Sequence, residues 1–420
     1  MAPVGCWESL AAAINAGTGS VYFGIGRLNM RAGSSVNFSP DDIESIVARC
    51  REAGVKTYLT LNTVVYPEDM TLMREIVDKA KAAGVDAIIA SDIAAMQYAV
   101  QQDVEVHLST QLNISNTKAL RFYAQFADVV VLARELNLDQ VAAIHRDIVE
   151  QDIRGRHGGQ VRIEMFCHGA LCMAVSGKCY MSLHENNTSA NRGSCVQVCR
   201  HAYTVRDKET GAELDIQNQY IMSPKDLKTI HFLNKILDAG VSVLKIEGRA
   251  RGPEYVRTVV ECYREAVAAY RAGEYAGEGI TARIADWDTR LAQVFNRGWW
   301  DGYYLGQRLG EWSHTYGSQA TRRKVYAGKV TDYFRKNGIA EVHVEACQLR
   351  LGDELLFTGA TTGVTEHTLT SALFFPPMPD GRATDKPVDT DTADKGFYIS
   401  FPTAEPLRRG DKVYKWQVNA

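Results

Sequence analysis

The sequence has no long apolar run and almost no net charge. None of its stretches approaches the roughly 18 apolar residues that a membrane-spanning helix requires. Its first residues also lack a basic segment followed by a continuous apolar one. With 47 Lys and Arg against 50 Asp and Glu, the net charge is −3, so a polyanionic partner would need a local basic patch. These absences predict a cytoplasmic protein without a membrane partner.

Several catalytic motifs are missing as well. The sequence contains no Gly-x-Ser-x-Gly elbow and no glycine pattern typical of Walker or dinucleotide-binding loops. His184 and Glu185 are adjacent, but the second histidine of a zinc-protease helix is absent. The sequence therefore shows no recognisable catalytic apparatus of a peptidase.

What the sequence does contain is a cluster of cysteines. Five of the nine lie between Phe166 and Tyr203, where most stand among Gly, Ser, Asn and Arg. In a reducing compartment such a cluster favours metal binding or catalysis over disulfides. Cys167 is set apart at a strand end, and we expect the scattered cysteines to be structural or incidental thiols. The scattered cysteines are Cys6, Cys50, Cys262 and Cys347.

The spacing of Cys172, Cys179, Cys195 and Cys199 indicates a four-sulfur metal site. The successive gaps are six, fifteen and three residues, so the last pair is close enough to reach one metal centre and the first two complete the set. An iron–sulfur cluster and a tetrahedral zinc fit these ligands equally well, and unrelated free thiols are the remaining alternative.

Short β-branched segments alternate with Ala-rich helical segments up to about residue 272. This pattern predicts an α/β fold, a (β/α)8 TIM-type barrel, with a doubly wound open sheet as the alternative. Alternating apolar and polar residues then predict a small C-terminal all-β barrel domain. The predicted strands are Val21–Phe23, Lys56–Leu61, Ala87–Ala90, Glu105–Leu108, Val129–Leu132, Arg162–Phe166, Tyr220–Met222 and Ser242–Ile246.

The predicted domains are residues 1–275 for the barrel, 276–322 for a bridging segment and 323–420 for the small β domain. The barrel carries a cysteine-rich insertion at 167–219, after the sixth predicted strand. Connections of this length are usually functional.

Residues that follow barrel strands gather at one face, where barrel enzymes place their chemistry. We therefore predict catalytic roles for His168, Glu247 and Arg249, with Arg249 also gripping an anion. A structural histidine and a structural Glu247–Arg249 ion pair are the alternatives. The predicted substrate-binding residues are Asn29, Arg31, Asn62, Gln111, Arg134, Lys225 and Arg249. The basic residues Arg192 and Arg200 near the cysteines, and Arg322 and Arg323 in the C-terminal part, form two local basic sets, although short charge runs are most often solvated.

Motifs along most of the first 306 residues resemble those of a collagenase-like family classed as peptidases of unassigned mechanism. The motifs are APVGCWESLAAAINAG, VYFG, NMRA, LNT, STQLNISN, AREL, HGALC, SGKC, ANRGSC, SPKDL, KIEGRARGPEYV and FNRG. The cysteine and KIEGR motifs are highly specific, and the small β domain is similar to the family's C-terminal extension.

The resemblance implies a tRNA uridine hydroxylase. Better-understood family members act in oxygen-independent hydroxylation of tRNA and ribosomal RNA and in anaerobic ubiquinone synthesis. The resemblance favours an iron–sulfur cluster of the four-iron type on the four cysteines, with prephenate as a small organic acid co-substrate and an unidentified electron donor. It also implies tRNA as partner, with Arg192, Arg200, Arg322 and Arg323 as the RNA contacts. One departure is Lys228, where some relatives carry a cysteine, so Cys199 is the expected fourth ligand.

Two other functions stay open. The family label implies a collagenase-like peptidase, for which no nucleophile is apparent. A zinc-stabilised RNA-binding accessory protein without turnover is the third possibility.

Overall fold

The computed structural model describes residues 1–33, 37–214 and 222–419. Its strands are β1 (Ala2–Pro3), β2 (Ser20–Gly24), β3 (Lys56–Leu61), β4 (Ala87–Ala90), β5 (Val106–Leu108), β6 (Val129–Val131), β7 (Arg162–Gly169), β8 (Val205–Arg206), β9 (Glu213–Leu214), β10 (Asp226–Lys228), β11 (Val241–Ile246), β12 (Trp299–Trp300), β13 (Arg322–Phe334), β14 (Ile339–Val344), β15 (Leu349–Arg350), β16 (Glu354–Gly359), β17 (Gly363–Thr368), β18 (Leu373–Phe375), β19 (Thr392–Ala393), β20 (Tyr398–Pro402) and β21 (Lys412–Val418).

The helices occupy the connections between the N-terminal strands. They are α1 (Trp7–Asn15), α2 (Ile43–Glu52), α3 (Met70–Ala83), α4 (Ile93–Gln101), α5 (Thr117–Tyr123), α6 (Leu138–Glu150), α7 (Met181–Asn186), α8 (Leu233–Asp238), α9 (Pro253–Arg271) and α10 (Glu278–Ala292). Gly84 ends α3 in the left-handed conformation, with φ 74°, as its place after the apolar period predicts. None of the described helices is long and apolar enough to cross a membrane.

Parallel strands form the N-terminal sheet. Neighbours follow chain order from β1 to β7, and β11 then pairs with β7 in parallel. Strands such as β2 and β6 are buried along their whole length, which explains their continuous β-branched and aromatic character. β10 pairs antiparallel with the end of β7 and also contacts β12. The predicted α/β class is confirmed.

The first and last parallel strands of this sheet lie side by side. The main-chain nitrogen of Met1 donates to the carbonyl of Leu244 at 2.8 Å, and the Ile246 nitrogen donates to the carbonyl of Met1 at 3.1 Å. These bonds join the start of β1 to β11. Full closure into a (β/α)8 barrel stays a prediction.

The predicted strand order needs one correction. Seven predicted strands correspond to β2–β7 and β11, whereas the predicted Tyr220–Met222 strand lies largely outside the described residues, and Met222 itself is in a turn. The two-residue strand β1 instead begins the sheet, so the cysteine-rich insertion follows the seventh parallel strand and not the sixth. A strand of two residues is too short to produce a recognisable hydrophobic period.

The C-terminal part is an antiparallel sheet. Seven strands pair in the order β17-β16-β21-β13-β14-β20-β18 around a core that includes Phe357, Phe374 and Phe401. Trp416 of this sheet packs with Ala12 of α1, and Lys324 Nζ lies 2.7 Å from Glu254 Oε2 of α9. The predicted all-β character of the C-terminal part is confirmed, and its description as a barrel and the three domain boundaries stay predictions.

Candidate functional site

A cavity of about 180 Å³ lies where the parallel strands end. Its walls combine residues directly after β3, β5, β6 and β11 with residues of the cysteine-rich insertion. Seven cationic side chains line it, and among the described residues its wall has one carboxylate and no histidine. The cations are Arg31, Arg134, Arg200, Lys245, Arg249, Arg251 and Arg297. Such a lining favours an anionic ligand.

The insertion is fixed across the mouth of the sheet by main-chain contacts. The Gly33 nitrogen donates to the carbonyl of Gly193 at 2.9 Å, and the Val64 nitrogen donates to the carbonyl of Asn191 at 3.1 Å. Gly193 has φ +87°, and a Cβ there would lie 2.3 Å from the Asn29 carbonyl oxygen. Only glycine fits this close approach, which places the insertion as a cover over the cavity.

All four predicted metal ligands line this cavity. Cys172 is exposed, and Cys179, Cys195 and Cys199 are half-buried. Burial raises the pKa of Cys199, and the charges of the other three sulfurs add to that effect against the neighbouring Arg200. The donor set therefore has the chemistry and the shared wall that a sulfur-ligated metal needs.

The coordination geometry itself is not formed among these residues. Within the described ranges, no three side chains of His, Cys, Asp or Glu converge on a position that could hold a metal ion. Cys167 is separate: it is buried in β7, and burial raises the pKa of its thiol to about 12. Lys228 does not line the cavity, because its Nζ pairs with Asp288 Oδ1 at 2.8 Å.

Glu247 forms the central ion pair of the cavity. Its Oε1 accepts from Arg31 Nη2 at 2.7 Å and Nε at 3.2 Å, and Tyr22 donates to Oε2 at 3.2 Å. Burial alone would raise the pKa of Glu247, but Arg31 and the nearby Arg134 and Arg249 outweigh it and lower that pKa to about 2. The carboxylate is therefore ionised at neutral pH and holds the arginines in place.

Arg249 is nearly buried at the same wall. Its Nη1 donates to Thr60 Oγ1 at 2.9 Å and to Asn29 Oδ1 at 3.1 Å, while Nε has no acceptor among the described residues. Burial lowers the pKa of Arg249 to about 10. Asn29 is absent from the described cavity lining and positions Arg249, while its predicted role as a substrate contact stays a prediction. Glu247 and Arg249 are not paired with each other.

Asn62, Gln111 and Arg134 lie on the wall as predicted. Asn62 Nδ2 donates to Ser109 Oγ at 3.1 Å and to Gln111 Oε1 at 3.4 Å, so the two amides form one polar group. Arg134 stacks on Phe166 at 3.8 Å and donates to the carbonyl of Ala170 at 3.2 Å. These contacts hold the three side chains in place on the wall.

Besides Asn29, two further predicted site residues lie away from the described cavity lining. His168 is fully buried beside Tyr255, Tyr263 and Trp299, and burial lowers the pKa of its imidazole to about 3. It is absent from the described cavity lining because its side chain turns to this aromatic group. Lys225 is likewise absent from that lining, since its Nζ pairs with Glu311 Oε2 at 2.7 Å.

Three of the four predicted RNA-binding arginines are engaged within the protein. Arg192 pairs with the buried Asp69, and Arg200 donates to Ser223, Pro224 and Leu171, which ties the insertion to the β10 side. Arg322 pairs with Glu354 and Glu366, whereas Arg323 is exposed and, among the described residues, its side chain donates only to Gln417 at 3.3 Å. Sequence position could not reveal these acceptors because they are distant along the chain.

The sequence prediction missed Arg251, Arg297 and Lys245. Arg251 and Lys245 belong to the KIEGRARG motif and Arg297 belongs to FNRG, so these two motifs could have identified the three residues from the sequence. Lys245 Nζ lies 2.7 Å from the buried Glu164 Oε1.

The fold and the site define an α/β protein with a cationic, cysteine-lined cavity under a polar insertion. The chain belongs to peptidase family U32, and the model of that family matches residues 5–314. It is similar to a protein named Collagenase of Porphyromonas gingivalis, with 60% identity over 416 residues that cover 99% of this chain and 97% of that protein.

Two relatives carry names from RNA modification. The tRNA hydroxylation protein P1 of Bacillus subtilis is 30% identical over 377 residues, covering 88% of this chain and 85% of that protein. The 23S rRNA 5-hydroxycytidine synthase of Escherichia coli is 33% identical over 306 residues, covering 71% of this chain and 44% of that protein. The family resemblance is thereby confirmed.

Proposed function

We propose that this protein hydroxylates uridine at the wobble position of tRNA without molecular oxygen, forming 5-hydroxyuridine. The observation that carries the proposal is the placement of all four insertion cysteines on the wall of a strongly cationic cavity. The relatives named for tRNA and ribosomal RNA hydroxylation support this reaction class. The proposal includes a closed (β/α)8 barrel, whose mouth would carry the site.

Cys172, Cys179, Cys195 and Cys199 would hold an iron–sulfur cluster. When bound, such a cluster supplies electron transfer or activates a substrate, and hydroxylation at C5 of uridine removes two electrons from the base. Cys199 would serve as the fourth ligand, because Lys228 Nζ pairs with Asp288. The cysteines have the location for this role, and cluster binding is the step to be tested.

The cationic wall would hold a small organic acid such as prephenate. Arg249 keeps Nε available, and Arg134 keeps a buried Nε without an acceptor among the described residues. Guanidinium groups recognise carboxylates through paired N–H donors. Asn62 and Gln111 supply neutral polar contacts beside them. In this arrangement Glu247 orients Arg31 and keeps the cation group together.

Arg323 and the adjacent face of the C-terminal sheet would contact the tRNA backbone. Of the four predicted RNA contacts, Arg323 is the one whose guanidinium is exposed and lacks a carboxylate partner among the described residues. The near-neutral whole chain makes such local contacts necessary.

Nucleoside mass spectrometry tests the reaction. A strain lacking 5-hydroxyuridine-derived nucleosides should regain them when it expresses this protein, but not when it expresses Cys172→Ala or Cys199→Ala. Cys347→Ala is the matched control, since this half-buried thiol lies in the C-terminal domain, and it should restore the nucleosides fully. No hydroxyuridine from the unaltered protein would reject the function.

Metal and sulfide analysis of anaerobically isolated protein tests the cofactor. Iron and acid-labile sulfide in equal amounts are expected, and both should fall in the Cys172→Ala protein. Zinc without sulfide would instead support the zinc-stabilised accessory protein. In that case tRNA binding would persist, and hydroxylation would survive Cys172→Ala.

A peptidase is the second candidate, favoured by the 60% identity to a protein named Collagenase. The cavity offers little for it, since no histidine stands beside the cysteines on the described wall and Glu247 is its one carboxylate. Both cysteine and aspartic proteases need such partners. Cleavage of gelatin by pure protein, abolished by a single cavity substitution, would establish peptidase activity.

A further inference from the structure

Arg251 and Arg297 flank the same aromatic ring at the cavity wall. The Arg251 guanidinium lies 3.5 Å from the centre of the Phe295 ring, and that of Arg297 lies 5.1 Å from it. Both side chains line the cavity. Stacking on one phenyl ring fixes the planes of the two guanidinium groups and limits their side-chain freedom.

The positive charges of Arg251 and Arg297 are not fully neutralised by nearby carboxylates. Arg200, Arg251 and Arg297 all interact electrostatically with the carboxylate of Asp226, and Arg251 also interacts with that of Glu247. Burial lowers the pKa of Arg251 to about 10, and the like charge of Arg297 is the next contribution. Because Glu247 is already paired with Arg31, three guanidinium groups around Asp226 leave an excess of positive charge that a bound anion would compensate.

The hydrogen-bonding capacity of the pair is also largely unused. Arg251 has no side-chain hydrogen bond or ion pair with any residue that the structure describes. Arg297 reaches Asp226 Oδ1 and Gln197 Oε1 only at 3.4 Å each, longer than the 2.7–2.9 Å usual for charge-assisted bonds. Arg200 differs, because Ser223, Pro224 and Leu171 accept from it.

We infer that Arg251 and Arg297 form an oxyanion-binding subsite of the cavity, separate from the Arg249 group. Its ligand is a carboxylate or phosphate group gripped by the two guanidinium groups above Phe295. The inference deepens the proposed function, on which it rests for the source of the anion. A carboxylate would belong to the organic acid, and a phosphate would belong to the RNA substrate.

Titration calorimetry on the protein, without turnover, tests the subsite. The probes are inorganic phosphate, uridine monophosphate and succinate. At least one should bind, and Arg251→Gln should weaken that binding by roughly 10-fold or more, because a charged hydrogen bond contributes about 1.5–3 kcal/mol. Arg251→Lys should bind with intermediate affinity, since it keeps the charge and loses the planar fork. Arg382→Gln, at a side chain that is 79% exposed in the C-terminal part, should bind as the unaltered protein does.

The preferred probe identifies the source of the anion. Tighter binding of uridine monophosphate and phosphate assigns the subsite to the RNA, and tighter binding of succinate assigns it to the organic acid. Equal affinity of Arg251→Gln and the unaltered protein, or no binding of any probe, overturns the subsite. Either result would leave the proposed hydroxylation unaffected, because calorimetry measures binding of these probes without turnover.

Discussion

Glu247 is the one carboxylate among the described residues that line the cavity, and its charge depends on Arg31. Since its folded-state pKa is lowered to about 2, the stabilisation is fully present above the ordinary pKa of a glutamate. It is lost as the pH falls from about 4.5 towards 2. The pair is therefore a pH-dependent element of the site.

Glu247→Gln should lower the free energy of unfolding at pH 7 by about 3 kcal/mol, because the buried cations lose their counter-charge. Urea unfolding at pH 7 and pH 3 measures the effect, and the variant should lose less stability between these pH values than the unaltered protein. Glu44→Gln, at an exposed position of α2, is the control. An identical acid response in Glu247→Gln would contradict the assignment.

The buried His168 should also make the stability of the fold depend on pH, in a different pH window. Burial lowers its folded-state pKa to about 3, so the folded protein binds fewer protons than the unfolded chain between about pH 6.5 and 3. Stability is therefore lost as the pH falls through that window, by up to roughly 5 kcal/mol. His168→Phe should reduce the fall in thermal midpoint between pH 7 and pH 5.

The exposed His201→Phe should leave this pH response unchanged. If the proposed tRNA hydroxylation is lost in a His168→Phe protein that folds, the catalytic role that burial argues against is restored.

At the scale of elements, the insertion is held by backbone approach at Gly193. Gly193→Ala should displace the insertion, because the added Cβ would meet the Asn29 carbonyl at 2.3 Å. We expect the cavity cysteines to react several-fold faster with a disulfide reagent. Thiol titration over time, with mapping of the modified residues, measures this change.

Gly158→Ala is the matched control. Gly158 has a similar φ of +82°, yet its Cβ would meet nothing within 4 Å. Both variants carry the left-handed backbone cost of roughly 1–2 kcal/mol, so only the contact differs. Equal thiol reactivity in the two variants would show that Gly193 does not hold the insertion.

For the whole molecule, the C-terminal sheet is joined to the α/β part through Trp416. Its indole donates to Glu366 Oε1 at 2.8 Å, the Arg322 guanidinium lies 4.0 Å from its ring, and it packs with Ala12 of α1. Trp416→Ala should cost about 3–5 kcal/mol. Hydrogen exchange should increase in β16, β17 and β21 while the strands β2–β7 stay protected.

Leu309→Ala, at a side chain that is 83% exposed, should leave hydrogen exchange unchanged. Uniformly faster exchange throughout Trp416→Ala would show that the two parts unfold as one unit, contrary to this prediction.

The predicted elements were recovered where local patterns were long. Six predicted strands correspond to β2–β7, because the hydrophobic pattern and the terminal signals of an element depend on neighbouring residues. β1 was missed since two residues carry no period. The four cysteines were also found from spacing, and the structure places them all on one wall.

The sequence by itself determined the α/β class, the cysteine set and the position of Glu247 and Arg249 after β11. Only the tertiary structure decided which charges are engaged, because the partners are far apart in the chain: Arg31 and Glu247 are separated by 216 positions. Lys225, Arg200 and Arg322 proved to have internal partners, whereas Arg251 has no acceptor among the described residues. Side-chain pairing follows distance in space, which a linear pattern does not contain.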